Sequence, residues 1–521
     1  MKIGVDFGTS FSSAAFFVNG EVQPITFGND QQFRTAVFFP DRYVDPSQFV
    51  LTAKHEHEID SAIATQKSFY NSQMALYRAR LESIDKGGMA GGYGRDGYSA
   101  AKKALLRERV AKPRKVSDED IRQSTINMLR RRWVSMQRES IAQEGLDVRK
   151  ANGIFGEDAI EALYNDEDGR IFQSPKSMLG YRLEPHHRDV VVGVISQVLA
   201  HIRNTASRQL NKEVTAVVLG RPVEFRGTVG SRDDQQTQDL LERAAKEAGF
   251  ADVEFLREPS AAAYAYHMQS PHAHAALIID IGGGTTDIAY AQVGGEVAQP
   301  VIHQVWGQGF GGTDVDVDLS ISAAMPMFGK DDKHGLPLHA YRSAAQISAL
   351  SLQRDFVKQD LARVIEPFKT RLKRLKEKGT TVRLNRDIEQ LKIDLSGDSY
   401  ASRELDYIEP ELRVTADSNV LETSTRRFLK DFRMLLQKVR AELSNAVPVV
   451  FMTGGMSRAP YVQACVCEVF AGSEVVMGDA SLGVVAGLAQ FAAAQGPGQP
   501  APHTYEGADK GLSIEEILCR D

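Results

Sequence analysis

A chain of 521 residues, 42% hydrophobic and 25% charged, has an ordinary globular composition and is long enough for two or more substantial domains. The formal net charge of −6 argues against a general nucleic-acid binder, and Cys465, Cys467 and Cys519 give neither a disulfide framework nor a zinc ligand set. No apolar run approaches the roughly twenty residues that span a bilayer, and no basic-then-apolar leader opens the chain, so a reduced, cytoplasmic protein with no membrane partner is expected.

In chain order, Ile3-Gly4-Val5 reads as a strand that runs into Asp6-Phe7-Gly8-Thr9-Ser10, and Ala14-Ala15-Phe16-Phe17-Val18 reads as its return strand. Short strands continue to about Phe39. A polar segment, about 51–153, then interrupts this first lobe, with helices expected over 59–84, 99–110 and 117–144 and a Gly-rich break over 87–94. Between Ser61 and Lys150 the basic residues exceed the acidic ones by about nine. That excess reads either as a solvated helical face or as an appendage that docks a partner on residues 60–150, with no specific nucleic acid expected.

Lys176 follows in Ser174-Pro175-Lys176, a surface lysine unless the fold returns it to a site. A helix over 190–209, a strand over 216–219 ending in Gly220-Arg221-Pro222, and a helix over 235–248 lead to Leu256-Arg257-Glu258-Pro259. There the proline suits a first helical position, and Glu258 is either a helix-start charge or a carboxylate aimed at a ligand.

The central stretch is Asp280-Ile281-Gly282-Gly283-Gly284-Thr285-Thr286-Asp287, entered by Ala275-Ala276-Leu277-Ile278-Ile279 and left by Ile288-Ala289-Tyr290-Ala291. Three glycines remove every Cβ from the reversal, so backbone N–H groups can close on an anion, with threonine hydroxyls beside them. Two carboxylates at the ends of a phosphate-binding turn repel its ligand unless a cation sits between, and Mg²⁺ carrying a nucleotide, held largely through waters, is the economical occupant. The segment at Asp6 repeats the order strand, Asp, apolar residue, Gly, Thr or Ser about 275 residues earlier. A duplicated α/β domain brings two such hairpins around one phosphate chain.

Beyond it, Gly307-Gln308-Gly309-Phe310-Gly311-Gly312-Thr313-Asp314 opens a helix whose N–H groups suit a terminal phosphate. Residues 330–447 read as largely helical. Val449-Val450-Phe451-Met452-Thr453-Gly454-Gly455-Met456-Ser457-Arg458 returns to the core as a strand ending in a Gly pair, a helix over 482–494 follows, and 495–521 is a Pro/Gly-rich tail with a short amphipathic end over 513–518.

Taken together, Asp6 to Ser10, Asp280 to Asp287, Gly454-Gly455-Met456-Ser457-Arg458-Ala459-Pro460 and Arg257-Glu258-Pro259-Ser260-Ala261-Ala262 resemble the motifs of the actin-like ATPase superfamily. Within it they resemble the seventy-kilodalton heat-shock chaperones of the DnaK type, closest in form to the short YegD-like members. The resemblance implies an α/β, two-lobed actin-like ATPase fold of duplicated ribonuclease-H-like domains with an inserted subdomain on each lobe. Lobe I would cover 1–270 with the insertion at 51–153, lobe II 271–494 with an insertion at 330–447, and 495–521 would be a tail. It implies slow, Mg²⁺-dependent ATP hydrolysis, with unfolded clients or co-chaperones as partners.

Carried over by motif, the resemblance gives Gly8, Thr9, Ser10, Gly282, Gly283 and Gly284 phosphate contacts, and Asp6 and Asp280 the metal. It makes Thr285 and Asp287 the completion of the cradle, and Lys176 and Glu258 the pair that orients the attacking water. Gly311, Gly312 and Thr313 would cover the terminal phosphate. Glu389, Lys392 and Ser396 would meet the adenosine from one wall, and Gly454, Gly455 and Arg458 from the other.

Several residues depart from the pattern. Ile393 stands where the family stacks an arginine on adenine, Met456 replaces a serine, Ser481 replaces an aspartate, and Arg221-Pro222-Val223-Glu224-Phe225 keeps only the proline of the interdomain signalling segment. About thirty residues follow the last expected core helix, too few for a peptide-binding β-sandwich and lid. A sugar-type small-molecule kinase and an actin-like scaffold are the rival readings.

Overall fold

The structure, a computed structural model, describes residues 1–40, 49–86, 107, 110–141, 148–149, 151–165, 169–179, 185–226 and 231–495. They form two compact units, one of Met1–Pro40 with Asp147–Asp521 and one of Asp41–Leu146. The smaller unit contains two long helices, Ala53–Lys86 and Asp118–Ile141, tied by Lys67–Asp118, Arg122–Glu56 and Arg132–Glu58 ion pairs. The expected Gly-rich break at 87–94, nearly all of the helix over 99–110, and the tail beyond Gln495 lie outside the described residues.

The larger unit is built on two sheets with one plan. The strands of the first half are β1 (Lys2–Phe7), β2 (Phe11–Val18), β3 (Glu21–Pro24), β4 (Gln32–Arg34), β5 (Ala36–Pro40), β6 (Ile154–Phe155), β7 (Gly169–Gln173), β8 (Ala216–Arg221) and β9 (Asp252–Arg257). Those of the second are β10 (His274–Ile281), β11 (Thr286–Val293), β12 (Val301–Gln308), β13 (Tyr400–Glu404), β14 (Arg413–Asp417), β15 (Val449–Thr453) and β16 (Glu474–Met477). The main sheets run β3-β2-β1-β8-β9 and β12-β11-β10-β15-β16. In each, two antiparallel pairings are followed by two parallel ones.

The repetition seen at Asp6 and Asp280 is thus a repetition of whole sheets, in a mixed α/β fold of the expected actin-like kind. The central strands β1, β10 and β15 are almost wholly buried, as parallel neighbours covered by helices require.

Each sheet's closing helix crosses to the other. Helix Glu258–Gln269, which follows β9, packs on β10 and β11, while Gly483–Ala494, which follows β16, packs on β1, β2 and β8, and the two helices pack on each other. Their small residues make the crossing close. A Cβ on Gly487 would come within 1.7 Å of the Ala261 carbonyl oxygen, and one on Gly4 within 2.4 Å of the Ala489 nitrogen. The region read as largely helical, 330–447, carries helices Leu338–Ala345, Leu350–Val357, Phe368–Leu375, Thr380–Leu395 and Ser418–Glu442, but also the β13-β14 hairpin. It has its own core around Phe328, Tyr341, Phe356 and Leu372.

Gly487→Ala should therefore lower stability by roughly 1–3 kcal/mol, the range for overpacking a tight core. Gly397→Ala, whose Cβ would meet only the Asp394 carbonyl at 3.8 Å, should change it by less than about 0.5 kcal/mol. Denaturant midpoints of the two variants check this.

Candidate functional site

Local chemistry brings five charged groups to one point between the sheets. Asp6 closes β1. In the β10-β11 hairpin, Gly282 N–H bonds the Thr285 carbonyl at 3.0 Å, and the register sets Asp280 directly opposite Asp287. Like charges facing each other across a ladder are destabilising. Glu258 begins its helix with Pro259 behind it, and Gly220 at the end of β8 leaves room for its side chain, since a Cβ there would lie 3.3 Å from Glu258 Cγ.

Lys176 arrives by a turn the sequence hides. After β7, Ser174 takes a left-handed conformation (φ 51°), its N–H bonded to the Thr35 carbonyl at 2.9 Å, and Pro175 starts a single helical turn. That turn buries Lys176 against Glu258, with which it makes a hydrogen-bonded ion pair.

Asp280, Asp287, Glu258 and Lys176 are all buried. Burial, then the Glu258 charge, pushes the Asp6 carboxyl up to about 7 against the pull of Lys176. The same two causes push Asp287 up to about 8, although Val223 N–H donates to its Oδ1 at 2.7 Å and the Thr285 hydroxyl also donates to it. Asp280 rises well above the carboxylate range through burial, Glu258, Asp287 and Asp6. Burial depresses Lys176, but Glu258 and Asp6 outweigh it and hold its ammonium above the ordinary value. The cluster has more carboxylate than one lysine neutralises.

The two glycine turns meet beside this cluster. A Cβ on Gly283 would lie 2.5 Å from Ser10 Oγ and one on Gly284 2.8 Å from Thr9 Oγ1, while one on Gly454 (φ 83°) would lie 2.5 Å from Asp280 Oδ1. Gly8 turns tightly over the Phe11 carbonyl. At the start of helix Gly312–Leu319, the Gly312 and Thr313 N–H groups donate to the Gly282 and Gly283 carbonyls at 3.0 and 2.8 Å, and Gly311 N–H to Asp314 Oδ2 at 2.9 Å. The structure thus brings Asp6, Gly8 to Ser10, Lys176, Glu258, Gly282 to Asp287, Gly311 to Thr313 and Gly454 together.

Of the residues assigned to adenosine, Glu389, Lys392 and Ser396 bond to other protein groups. Glu389 pairs with Arg34 at 3.1 Å, Lys392 is buried on Asp316 at 2.7 Å, and the Ser396 hydroxyl donates to the Lys392 carbonyl at 3.1 Å. Gly455 and Arg458 are exposed, Met456 is buried beside Gly312, and Ile393 is 54% exposed. A cavity of about 70 Å³ lies beside Thr9, Ser10 and Thr313, and a wider cleft of about 1290 Å³ is bordered by Phe11, His201, Arg458 and Ser481.

Sequence reading missed Arg34, Arg226 and Asp316. Arg34 joins Glu157 (3.0 Å) and Glu389, Arg386 joins Glu157 (2.7 Å), and Arg226 joins Thr313 and Asp314. None stands in a local motif that marks it.

Fold and site define a duplicated, two-lobed protein with a buried acidic cluster between its sheets. Residues 186–339 match the Hsp70 protein family model. The chain is 31% identical to the chaperone protein HscA homolog of Rickettsia typhi over 130 residues, 25% of this chain and 21% of the relative. It is also 31% identical to that of Rickettsia prowazekii over 130 residues (25% and 20%), and 32% identical to that of Rickettsia akari over 127 (24% and 20%). The matches thus span about a fifth of each relative's length. Over these residues the chain is similar to the Hsp70 protein family.

Raised carboxylates have a signed consequence. Between the ordinary aspartate value of 3.8 and about 7 to 8, the folded protein holds protons that the unfolded chain has released. Stability of the ligand-free protein therefore falls as pH rises through that window. The guanidinium midpoint should drop from pH 6 to pH 9, and Glu258→Gln, which removes the largest repelling charge, should shrink the drop.

Proposed function

We propose that this chain binds a nucleoside triphosphate with Mg²⁺ between its two sheets and hydrolyses it slowly, serving as the nucleotide switch of an Hsp70-type chaperone of the short YegD-like form. The observation that carries the reading is the facing pair Asp280 and Asp287, with Asp6 and Glu258, around the cation of Lys176. Like charges forced together in a buried site have no structural benefit, and a divalent cation with a phosphate chain resolves them. The residues fit such a group. Their protons mark an excess of negative charge, and the glycine turns keep Cβ atoms out of the cradle.

Among the described residues no three His, Cys, Asp or Glu side chains are placed to ligate one metal ion directly, so Asp6 and Asp280 would hold the metal through its waters. When bound, Mg²⁺ supplies charge neutralisation at the phosphate oxygens. Thr9, Ser10 and the backbone of Gly282, Gly283 and Gly284 hold the phosphates, with Gly311, Gly312 and Thr313 above them. Lys176 and Glu258 orient the water, while Thr285 keeps Asp287 turned inward. Glu389, Lys392, Ser396, Gly454, Gly455 and Arg458 would form the adenosine walls once Glu389 leaves Arg34.

The cavity beside Thr9 and Ser10 is lined in part by Arg34 and Glu389. A triphosphate entering there would part the Arg34–Glu389 and Arg386–Glu157 pairs, and nucleotide occupancy would become lobe position. Unfolded clients or co-chaperones as partners, and a cytoplasmic location, belong to the same proposal. Among the described residues no helix is long and apolar enough to cross a membrane.

Calorimetric titration with Mg-ATP and Mg-ADP, beside single-turnover hydrolysis, tests the reading. Binding by the wild type with slow turnover is expected, and Lys176→Ala should cut hydrolysis by at least about a hundredfold while circular dichroism confirms its fold. An absence of binding to either nucleotide would reduce the hairpins to architecture.

A further inference from the structure

The loop leaving β8 crosses from one sheet's lobe to the other's. Val223 reaches Asp287, and a Cβ on Gly309 would lie 3.1 Å from Arg226 Cα, so the backbone at Arg226 is seated against the end of β12. Arg226 Nη1 donates to Thr313 Oγ1 at 2.8 Å, Nη2 donates to Asp314 Oδ1 at 2.7 Å, and the Thr313 hydroxyl passes its own hydrogen to the Gly283 carbonyl at 2.8 Å. Guanidinium, hydroxyl and phosphate turn form one chain of bonds. Arg226 also borders the small cavity beside Thr9 and Ser10.

Among the described residues, Lys392, beside Gly312, is paired with buried Asp316. Lys176 is buried on Glu258, and Arg34 holds two glutamates. Arg226 faces one hydroxyl and one carboxylate, and the Asp314 side chain is 32% exposed. An ion pair that water reaches is weak, whereas a forked guanidinium matches phosphate oxygens bidentately.

We propose that Arg226 distinguishes a nucleoside triphosphate from a diphosphate, its guanidinium leaving Asp314 for the terminal phosphate. The proposal rests on the nucleotide reading above. In hydrolysis, water adds to the terminal phosphorus, the bond from that phosphorus to the bridging oxygen breaks, and the products are inorganic phosphate, the nucleoside diphosphate and a proton. Arg226 then returns to Asp314 and again fixes the start of helix Gly312–Leu319.

Titration of wild type, Arg226→Ala, Arg226→Lys and Asp314→Asn with Mg-ADP and with Mg-bound adenosine 5′-(β,γ-imido)triphosphate tests this. The wild type should prefer the triphosphate analogue by at least about tenfold, equivalent to about 1.4 kcal/mol. Arg226→Ala should lose that preference while its Mg-ADP affinity stays within about twofold, Arg226→Lys should recover part of it, and Asp314→Asn, which keeps the Gly311 cap but frees Arg226, should enlarge it. A preference that survives in Arg226→Ala, or equal loss for both ligands, would make Arg226 a brace for the loop and overturn the proposal. Wild type that binds neither ligand would overturn the nucleotide reading and this proposal with it.

Discussion

The rest of the structure depends on a repulsion. The β10-β11 register places Asp280 against Asp287 in a buried ladder position where apolar or opposite-charge pairs are stabilising, and Glu258 and Asp6 enter the same space with one lysine between them. Removing Lys176 alone would leave its carboxylates uncompensated, at a cost of roughly 3–5 kcal/mol for a broken buried pair. A site this unfavourable when empty gains most from a ligand that brings positive charge. Its instability and its proposed affinity for a metal-bound phosphate chain are one property.

Duplication supplies the two sides of that site. Asp6 and Asp280 occupy matching ends of β1 and β10, each central in a sheet of the same order, and each sheet's closing helix covers its twin. The site therefore lies where two halves share helices, which cross in close contact at Gly487 and Ala261. The halves are not equal, however. Asp6 faces Ser13 across its hairpin where Asp280 faces Asp287.

The legible part of this molecule was local. Glycines flanked by Asp and Thr at the end of an apolar strand announce a turn and its chemistry within eight residues, and both hairpins, Glu258 before its proline, and the Gly454 turn stand where that pattern put them. Lys176 was readable only through family likeness, because its place depends on β5–β7 pairing and on the left-handed Ser174. Arg34, Arg226 and Asp316 were invisible, since their partners lie tens to hundreds of residues away in the chain, 355 for Arg34 and Glu389. The β13-β14 hairpin was hidden by its charge, with only Ala401, Val414 and Ala416 buried along it. The adenosine walls were read by likeness too, yet in the structure Glu389, Lys392 and Ser396 bond to protein groups.

The central claim is that the carboxylate cluster is the seat of a metal-bound phosphate chain, and proton release tests it most directly. Mg-ADP binding should be measured by calorimetry at pH 7.5 in two buffers of different ionisation enthalpy, then repeated with EDTA. A cation beside Asp6, Asp280 and Asp287 must bring those raised carboxyls back toward ordinary aspartate values, so protons should be released on binding and affinity should collapse without the metal. Proton-neutral binding that is indifferent to EDTA would place the nucleotide somewhere other than between these carboxylates and contradict the account.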